Sequence, residues 1–300
     1  MIEIPKASIT PEVKVITEAL FSQLMNVMGL KHPNWITRCL YLLFHSPVQR
    51  MSSLLVDLDR NTAQNGWNSA VKQFTGSLVD GVQLLGEDTI PKHGPLMVVC
   101  NHPAAYDVAI LAAAIQRDDL KIIASDIPIL QMLPNIAEHM IPVPYSIPNR
   151  LQTVRDSLRH LENAGAILIF PRGNVEPDPA VSPGAEQSLL GWSPSIELFL
   201  RRKPQTISVV AMARGMLSEK WYKNPLINMW KKYEQRQKVA EIFQIASQLL
   251  TGKKTNATPV ISFSAPLAIT DLGGDKAPDG ALLASLTTQA RRLLADYPRS

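Results

Sequence analysis

From residue 96 onward, short apolar runs alternate with segments of helical periodicity, and this alternation restricts the chain to few folds. The clearest helical segment, residues 149–163, places its leucines and Val154 on one stripe. The apolar runs are bounded mostly by Gly, Pro, Asp or Asn, as buried strands are; they are residues 96–100, 121–124, 140–143, 166–170, 207–212 and 260–263. Alternating strands and helices predict an α/β fold in which helices flank a mostly parallel sheet.

The residues before this alternation indicate helices. Thr10 is a good N-cap, and Pro11 suits the first helical position, so the sequence predicts a helix to about residue 29. A second apolar segment, broken at Pro47, covers residues 35–57, and a short helix over residues 67–79 follows it. We therefore expect an N-terminal helical lead-in.

The domain boundary is expected where turn-forming residues accumulate. Residues 81–95 contain three glycines and two prolines, which favours a division into a lead-in over residues 1–78 and an α/β domain over residues 79–300. A polar, mostly helical insertion at about residues 214–256 interrupts the α/β domain.

Composition excludes several classes of protein. The 300 residues are 46% hydrophobic and 19% charged, which is close to globular averages and excludes a disordered chain. Two cysteines, Cys39 and Cys100, form neither a disulfide framework nor a zinc motif, so a reducing compartment fits. No signal-peptide pattern is visible, and the longest apolar stretch, residues 35–44, is about half the length of a spanning helix. We expect a cytoplasmic protein without a transmembrane helix.

The net charge of +4 comes with small basic clusters, which suit a solvated surface, the anionic surface of a membrane or an acidic partner. The clusters are Arg201-Arg202-Lys203, Lys231-Lys232, Lys253-Lys254 and Arg291-Arg292. We expect no nucleic-acid partner.

Residues 101–107, NHPAAYD, join a predicted buried strand to a predicted buried helix. Ligands of open α/β sheets bind beyond the carboxyl ends of strands. With Pro103 at the first helical position, His102 would lie near the N-cap among free backbone amides. On a regular helix, His102 and Asp107 would be about 140° apart, so they meet only if His102 precedes the helix. If they meet, Asp107 can orient the imidazole as a general base; otherwise His102 is a structural cap.

This segment resembles the first block of the glycerolipid acyltransferase family, the glycerol-3-phosphate and lysophosphatidate acyltransferases. In that family a strand ends in N-H-x4-D after a G-x-E-x-I-P approach. Asn101, His102 and Asp107 match in order and spacing, and the approach is GEDTIP at residues 86–91, with Asp88 at the Glu position. The resemblance continues more weakly through residues 121–146, 170–176, 207–215 and 260–269 to about residue 299.

The third block departs from the family pattern. The family usually has F-P-E-G-T-R, whereas residues 170–176 read FPRGNVE, with Arg172 in place of Glu and Asn174 in place of Thr. The resemblance implies that this turn binds the acceptor, that Glu176 can substitute for the missing Glu, and that Arg150 is the nearest candidate for the arginine of the second block. Arg172 either grips a phosphate bidentately or forms a surface salt bridge. The predicted acceptor-binding residues are Arg150, Arg172, Gly173, Asn174 and Glu176, and the predicted supporting residues are Asn101 and Pro171.

The resemblance implies direct acyl transfer. His102, oriented by Asp107, would deprotonate an acceptor hydroxyl, which attacks the thioester of acyl-CoA or acyl-carrier protein while helix-end amides stabilise the oxyanion. It implies no metal and no cofactor beyond this acyl thioester. Cys100 is the rival nucleophile, but we expect it in the core.

The expected acceptor is a glycerol-phosphate or a lysophospholipid. Two alternatives remain open: a lyso-aminolipid or glycolipid acceptor, and a non-catalytic protein that binds acyl-CoA or lipid on the same fold. The altered third block is the feature of the sequence that keeps both of them open.

An acyl chain comes from or goes to a bilayer, so we expect peripheral or monotopic attachment to the cytoplasmic face of a membrane. The lead-in offers apolar side chains for a shallow position in one leaflet: Trp35, Leu40, Tyr41, Leu43 and Phe44. The alternative for the lead-in is a cap packed on the α/β domain. The aromatic and basic insertion has the same two interpretations.

Overall fold

The computed structural model describes residues 10–30, 35–144, 150–254 and 257–296, apart from the side chain of Ile36. Residues 1–9 of the predicted lead-in and residues 297–300 of the predicted α/β domain lie outside the described residues. So does residue 149, with which the helix predicted over residues 149–163 begins. The strands are β1 (Gln83–Leu85), β2 (Leu96–Cys100), β3 (Leu120–Ser125), β4 (Met140–Val143), β5 (Ala166–Ile169), β6 (Ile207–Arg214) and β7 (Val260–Phe263).

Across the described part of the chain, the strands form one sheet in the order β1-β7-β6-β2-β5-β3-β4. Neighbouring strands are parallel throughout the sheet except β6 and β7, which are antiparallel. The predicted α/β class with a mostly parallel sheet is confirmed. The six predicted apolar runs correspond to β2 through β7.

Helices cover both faces of this sheet. They are α1 (Pro11–Val27), α2 (Trp35–Asn65), α3 (Trp67–Leu78), α4 (Asp107–Ile115), α5 (Pro128–Gln131), α6 (Pro134–Ala137), α7 (Arg150–Glu162), α8 (Ala185–Ser188), α9 (Ser195–Arg202), α10 (Glu219–Tyr222), α11 (Tyr233–Thr251) and α12 (Ala281–Ala295). Consecutive side chains of a strand point to opposite faces, so β2 divides its residues between two cores. Leu96, Val98 and Cys100 pack with the lead-in helices and α4. Met97 and Val99 pack with α7, α9 and α12.

The lead-in helices share a core with the sheet. Val13 and Ile16 of α1, Val56 of α2 and Val71 of α3 belong to the same buried cluster as β2. As predicted, Thr10 caps α1: its Oγ1 accepts a hydrogen bond from Val13 N at 3.4 Å, and Pro11 follows at the first position. Helices α1, α2 and α3 therefore form part of one face of the α/β sandwich.

Two local predictions are wrong. The helix predicted to break at Pro47 is continuous, because α2 packs against α1, α3 and α11 along its length, which outweighs the one hydrogen bond that proline cannot donate. The turn-rich residues 81–95 contain strand β1, which exists through parallel pairing of Gln83–Leu85 with β7. A three-residue strand gives no periodicity that could be read from the sequence.

Candidate active site

The site lies at the carboxyl ends of three central strands. β6, β2 and β5 are adjacent and parallel, so the segments that follow them meet at one edge of the sheet. These segments are the turn at residues 101–106, the loop at residues 170–184 and the loop at residues 215–218, called here the His102 turn, the Glu176 loop and the Met216 loop. This edge is where open α/β sheets bind their ligands.

His102 and Asp107 meet in this turn. Nδ1 of His102 lies 3.0 Å from Oδ1 and 3.1 Å from Oδ2 of Asp107, which is fully buried. Helix α4 begins at Asp107, so the prediction that Pro103 starts the helix is wrong. Asp107 Oδ2 accepts a hydrogen bond from Ala104 N at 3.1 Å, which holds the intervening residues in a turn. This turn lets His102 fold back over the start of the helix.

The backbone amides of the His102 turn are already engaged. His102 N donates to Glu176 Oε2 at 3.1 Å, and both Ala105 N and Tyr106 N donate to Glu241 Oε1, at 2.8 and 3.3 Å. Ala104 N donates to Asp107, whose own amide donates to the Ala104 carbonyl. The expectation of free helix-end amides that stabilise an oxyanion is therefore wrong for this turn. Three carboxylates occupy them instead.

Glu176 joins the loop after β5 to the His102 turn. Its buried carboxylate accepts hydrogen bonds from Ser188 Oγ at 2.9 Å and Trp192 Nε1 at 3.0 Å, besides His102 N. Its own amide donates to the His102 carbonyl at 2.8 Å. The two segments thus hold each other on both sides of His102. The structure places the Glu176 side chain against the His102 turn, with no exposed surface.

Asp178 joins the same loop to the segment after β6. Its fully buried carboxylate accepts from Gly215 N at 2.8 Å, Leu217 N at 2.9 Å and Ala180 N at 3.0 Å. The Tyr106 hydroxyl adds a third link, because it donates to the Met216 carbonyl. All three loops at this edge of the sheet are therefore connected by buried polar contacts.

A helix of the predicted insertion completes the site. Gln237, Glu241 and Gln244 form one buried polar stripe on α11, and Gln248 continues this stripe away from the site, where it donates to the Leu78 carbonyl. Gln237 contacts the His102 turn and the Glu176 loop, Glu241 contacts the His102 turn, and Gln244 binds Ser218 N and the Met216 carbonyl. The aromatic residues and positive charge of the insertion did not point to these contacts. The spacing of four polar residues at i, i+4, i+7 and i+11 was the available signal.

Asn101 fastens the end of β2 to β6. Its Nδ2 donates to the Ala213 carbonyl at 2.9 Å, and its Oδ1 accepts from Ala213 N at 2.7 Å. Cys100 points into the core on the lead-in side, and burial, followed by the charges of Asp107 and Glu176, raises the pKa of its thiol well above the usual value. Because the thiolate is the nucleophile, this environment disfavours Cys100 as one.

Residues 170–174 begin the Glu176 loop, and Phe170 among them lies beside His102. The Phe170 ring lies 4.3 Å from the imidazole, centroid to centroid, and the buried Pro171 accepts a hydrogen bond from Ser193 N at 3.1 Å. Gly173 and Asn174 are exposed. Gly173 has a φ of +69°, a conformation that favours glycine in this turn.

The two predicted acceptor-binding arginines lie apart. The half-buried Arg172 donates weakly to the Ser188 carbonyl at 3.4 Å, and its guanidinium carbon lies 5.8 Å from the Tyr233 ring centroid. The exposed Arg150 begins α7, beyond edge strand β4, where its Nε contacts the Pro144 carbonyl at 3.4 Å. β4 is two strands away from β5, so the structure places Arg172, and not Arg150, on the loop that contacts His102.

The site concentrates buried ionisable groups. Burial lowers the pKa of His102, but the charge and hydrogen bond of Asp107 outweigh it, helped by Glu241 and Glu176, so the net shift is upward. Burial raises the pKa of Glu176 and of Asp178, against the hydrogen bonds they accept. Burial and the nearby Asp107 raise the pKa of Glu241 to about 7. Such clustered shifts are typical of functional sites.

Metal binding has no candidate in the parts of the chain that the structure describes: they contain no group of three His, Cys, Asp or Glu side chains arranged to hold an ion. Likewise, no helix within the described ranges is both long enough and apolar enough to span a bilayer.

Comparison with known proteins identifies the segment that carries this site. Residues 81–217 match the protein-family model described as Acyltransferase. The crystal structure of the 1-acyl-sn-glycerophosphate (LPA) acyltransferase PlsC from Thermotoga maritima is similar at a TM-score of 0.45 and 13% sequence identity, covering 96% of this chain and 98% of that one. No curated protein sequence matches the chain significantly.

The matched segment includes the His102 turn, the Glu176 loop and most of the sheet. The resemblance that the motifs indicated is thereby confirmed over residues 81–217, which match the Acyltransferase family model.

Proposed function

We propose that this protein transfers a fatty acyl group from an acyl thioester to a hydroxyl group of a glycerolipid acceptor, with His102 as general base. The observation that supports this role most directly is the contact of His102 Nδ1 with the buried Asp107 carboxylate, within the segment that matches the acyltransferase family model. A carboxylate at Nδ1 favours the tautomer with its proton on that nitrogen and leaves the lone pair on Nε2. Among the described residues, no hydrogen bond engages Nε2, and the His102 side chain is 21% exposed.

The reaction then needs no covalent acyl-enzyme. Nε2 takes the proton of the acceptor hydroxyl, whose oxygen forms a bond to the thioester carbonyl carbon. As the carbon–sulfur bond breaks, the thiolate leaves and takes the proton back from the imidazolium. The amides of the His102 turn donate to carboxylates, so the groups that stabilise the oxyanion lie outside this turn.

We assign the acceptor a phosphate group, because Arg172 is the cation on the loop that contacts His102. Within the described ranges, the guanidinium has one weak hydrogen bond, to the Ser188 carbonyl, and it lies over the Tyr233 ring, an arrangement that leaves donors for an anion. Arg172 also favours the charged form of Glu176 nearby. A glycerol-phosphate or lysophospholipid supplies the required anion, whereas an uncharged glycolipid does not.

We propose that α2 attaches the protein to a membrane surface. Trp35 is 74% exposed, Leu42 is 80% exposed and Leu43 is 55% exposed. Tyr41 is exposed as well, whereas Phe44 is buried against Phe243 of α11. One side of the predicted apolar segment is therefore exposed, and the other side packs against the rest of the protein. Apolar side chains of this size on an exposed helix suit a shallow position in one leaflet.

The test of this function is a panel of donors and acceptors. Acyl-CoA and acyl-carrier protein are each incubated with glycerol-3-phosphate, lysophosphatidate, a lyso-aminolipid and an uncharged monoacylglycerol, and the acylated product is measured by mass spectrometry. We expect a product with a phosphate-bearing acceptor. Tight binding of acyl-CoA without acceptor-dependent product for any combination would contradict the proposal and favour a binding protein.

A further inference from the structure

We propose that two residues of helix α11, Gln237 and Glu241, are positioning residues that hold the His102 turn and the Glu176 loop together. This inference rests on the proposed function, because it assigns the two residues to the reaction of His102. Both residues lie outside the segment matched by the family model, on a helix that follows it in the chain. The helix supplies no atom to the reaction.

Glu241 fixes the middle of the His102 turn. Its Oε1 accepts from Ala105 N at 2.8 Å and from Tyr106 N at 3.3 Å, and the residue is 6% exposed. These amides lie between His102 and Asp107 in the chain. Their positions therefore set how far the turn folds back, and with it the distance between the imidazole and its carboxylate.

Gln237 fixes the two sides of the site to each other. Its Nε2 donates to the Pro103 carbonyl at 2.6 Å and to the Glu176 carbonyl, while its Oε1 accepts from Asp178 N at 3.1 Å. One fully buried amide thus binds the His102 turn and the Glu176 loop together. The contact needs a donor and an acceptor at the end of a side chain of this length. Glutamate in its charged form cannot donate, and asparagine is one methylene shorter.

Glu241 also acts on His102 through its charge. The charged or ionisable groups that face His102 come from three elements: Asp107 from its own turn, Glu241 from α11 and Glu176 from the loop after β5. Each of these carboxylates favours the protonated imidazole. Removing the charge of Glu241 while keeping its oxygen as an acceptor should therefore lower the pKa of His102.

The decisive comparison uses Glu241→Gln, Glu241→Ala and a control on the same helix, Gln248→Ala. Gln248 is 6% exposed and donates to the Leu78 carbonyl, so its removal also costs α11 a buried hydrogen bond, but away from the site. We expect Glu241→Ala to lower kcat by about 10-fold or more, because misplacement of a catalytic group is costly. Glu241→Gln should keep kcat within a few-fold of wild type, and Gln248→Ala should leave it unchanged.

A second readout does not depend on turnover. The pH dependence of His102 modification by diethyl pyrocarbonate, followed on its peptide by mass spectrometry, reports the pKa of the imidazole. We expect Glu241→Gln to lower this pKa, and Gln248→Ala to leave it in place. A wild-type enzyme inactive with every substrate would remove the proposed function but leave this shift measurable.

The inference is overturned if Glu241→Ala retains wild-type kcat, if Glu241→Gln is no better than Glu241→Ala, or if the His102 pKa is the same in wild type and Glu241→Gln. Loss of kcat in Gln248→Ala equal to that in Glu241→Ala would also overturn it, because the effect would then follow from helix stability alone.

Discussion

His102 Nδ1 lies 3.0 Å from Asp107 Oδ1 although five positions separate the residues, because the helix begins at Asp107 and not before it. The residues between them form a turn whose amides are held by Asp107 and Glu241. The pair is thus built by the backbone of one short turn, and the supporting carboxylates come from elements distant in sequence.

The raised pKa of His102 predicts the acid limb of activity. Burial opposes the protonated imidazole, but Asp107 outweighs it, so the pKa lies above the ordinary 6.5. A general base must be neutral, so kcat/KM should fall as pH drops through this raised pKa and level off above it. The same shift makes His102 stabilise the fold most below pH 6.5, a contribution lost as pH rises through the folded-state pKa. A pH–rate profile whose acid limb lies below the ordinary histidine range would contradict this.

Replacement of Arg172 should separate charged from uncharged acceptors. Arg172→Ala removes the guanidinium from the loop beside His102, so KM for a phosphate-bearing acceptor should rise by about 10-fold. The uncharged monoacylglycerol should be unaffected. Arg202→Ala is the matched control, because this exposed arginine is the last residue of α9. It precedes the amino end of β6, whereas the site lies at the carboxyl ends of the strands. Equal changes in KM for charged and uncharged acceptors would argue against a phosphate contact.

Asn101 should matter for stability. Asn101→Ala leaves the buried amide and carbonyl of Ala213 without their partners, and each unsatisfied group costs roughly 1–3 kcal/mol. We expect the free energy of unfolding to fall by about 2–4 kcal/mol in denaturant titrations. Asn174→Ala makes the same substitution at an exposed position and should change it by less than about 0.5 kcal/mol. Similar values for both variants would mean that the Ala213 contact contributes little.

Membrane attachment should depend on the exposed side of α2. Flotation with anionic liposomes measures the fraction of protein bound, and Leu42→Glu should weaken binding by about 10-fold through loss of one buried apolar side chain. Leu198→Glu is the control, because this leucine is 39% exposed on α9, which packs on the other face of the sheet. Binding that both substitutions reduce equally, or a wild-type protein that never floats, would refute attachment through α2.

The sequence is most informative where structure is local. The apolar runs of β2 through β7 were recognisable because a buried strand can be identified from its own apolar residues, without knowledge of the strands beside it. His102 and Asp107 were recognisable as a pair through the resemblance of N-H-x4-D to the family motif, because their spacing alone left a structural cap open. The start of α4 was misplaced because Asp107 Oδ2 accepts a hydrogen bond from Ala104 N and holds the residues before Asp107 in a turn. The presence of Pro103 in the sequence does not reveal this contact.

Contacts between distant segments could not be predicted. β1 becomes a strand by pairing with β7, almost two hundred residues later, as Gln83 pairs with Val260. Gln237 and Glu241 bind backbone atoms of the His102 turn more than a hundred residues away, and a backbone partner leaves no trace in sequence. Glu176 was singled out for the acceptor, whereas its buried contacts are with His102 N, Ser188 and Trp192.

The most direct measurement of the central claim is acylated-product formation by wild type, His102→Ala and Asp107→Asn at saturating donor and acceptor. We expect a loss in kcat of about 100-fold or more for both variants, because general-base catalysis contributes at least this much and needs the oriented tautomer. Asp57→Asn, at an exposed position of α2, should match wild type, and circular dichroism should show all variants folded. A His102→Ala protein that is folded and forms product at the wild-type rate would contradict the account.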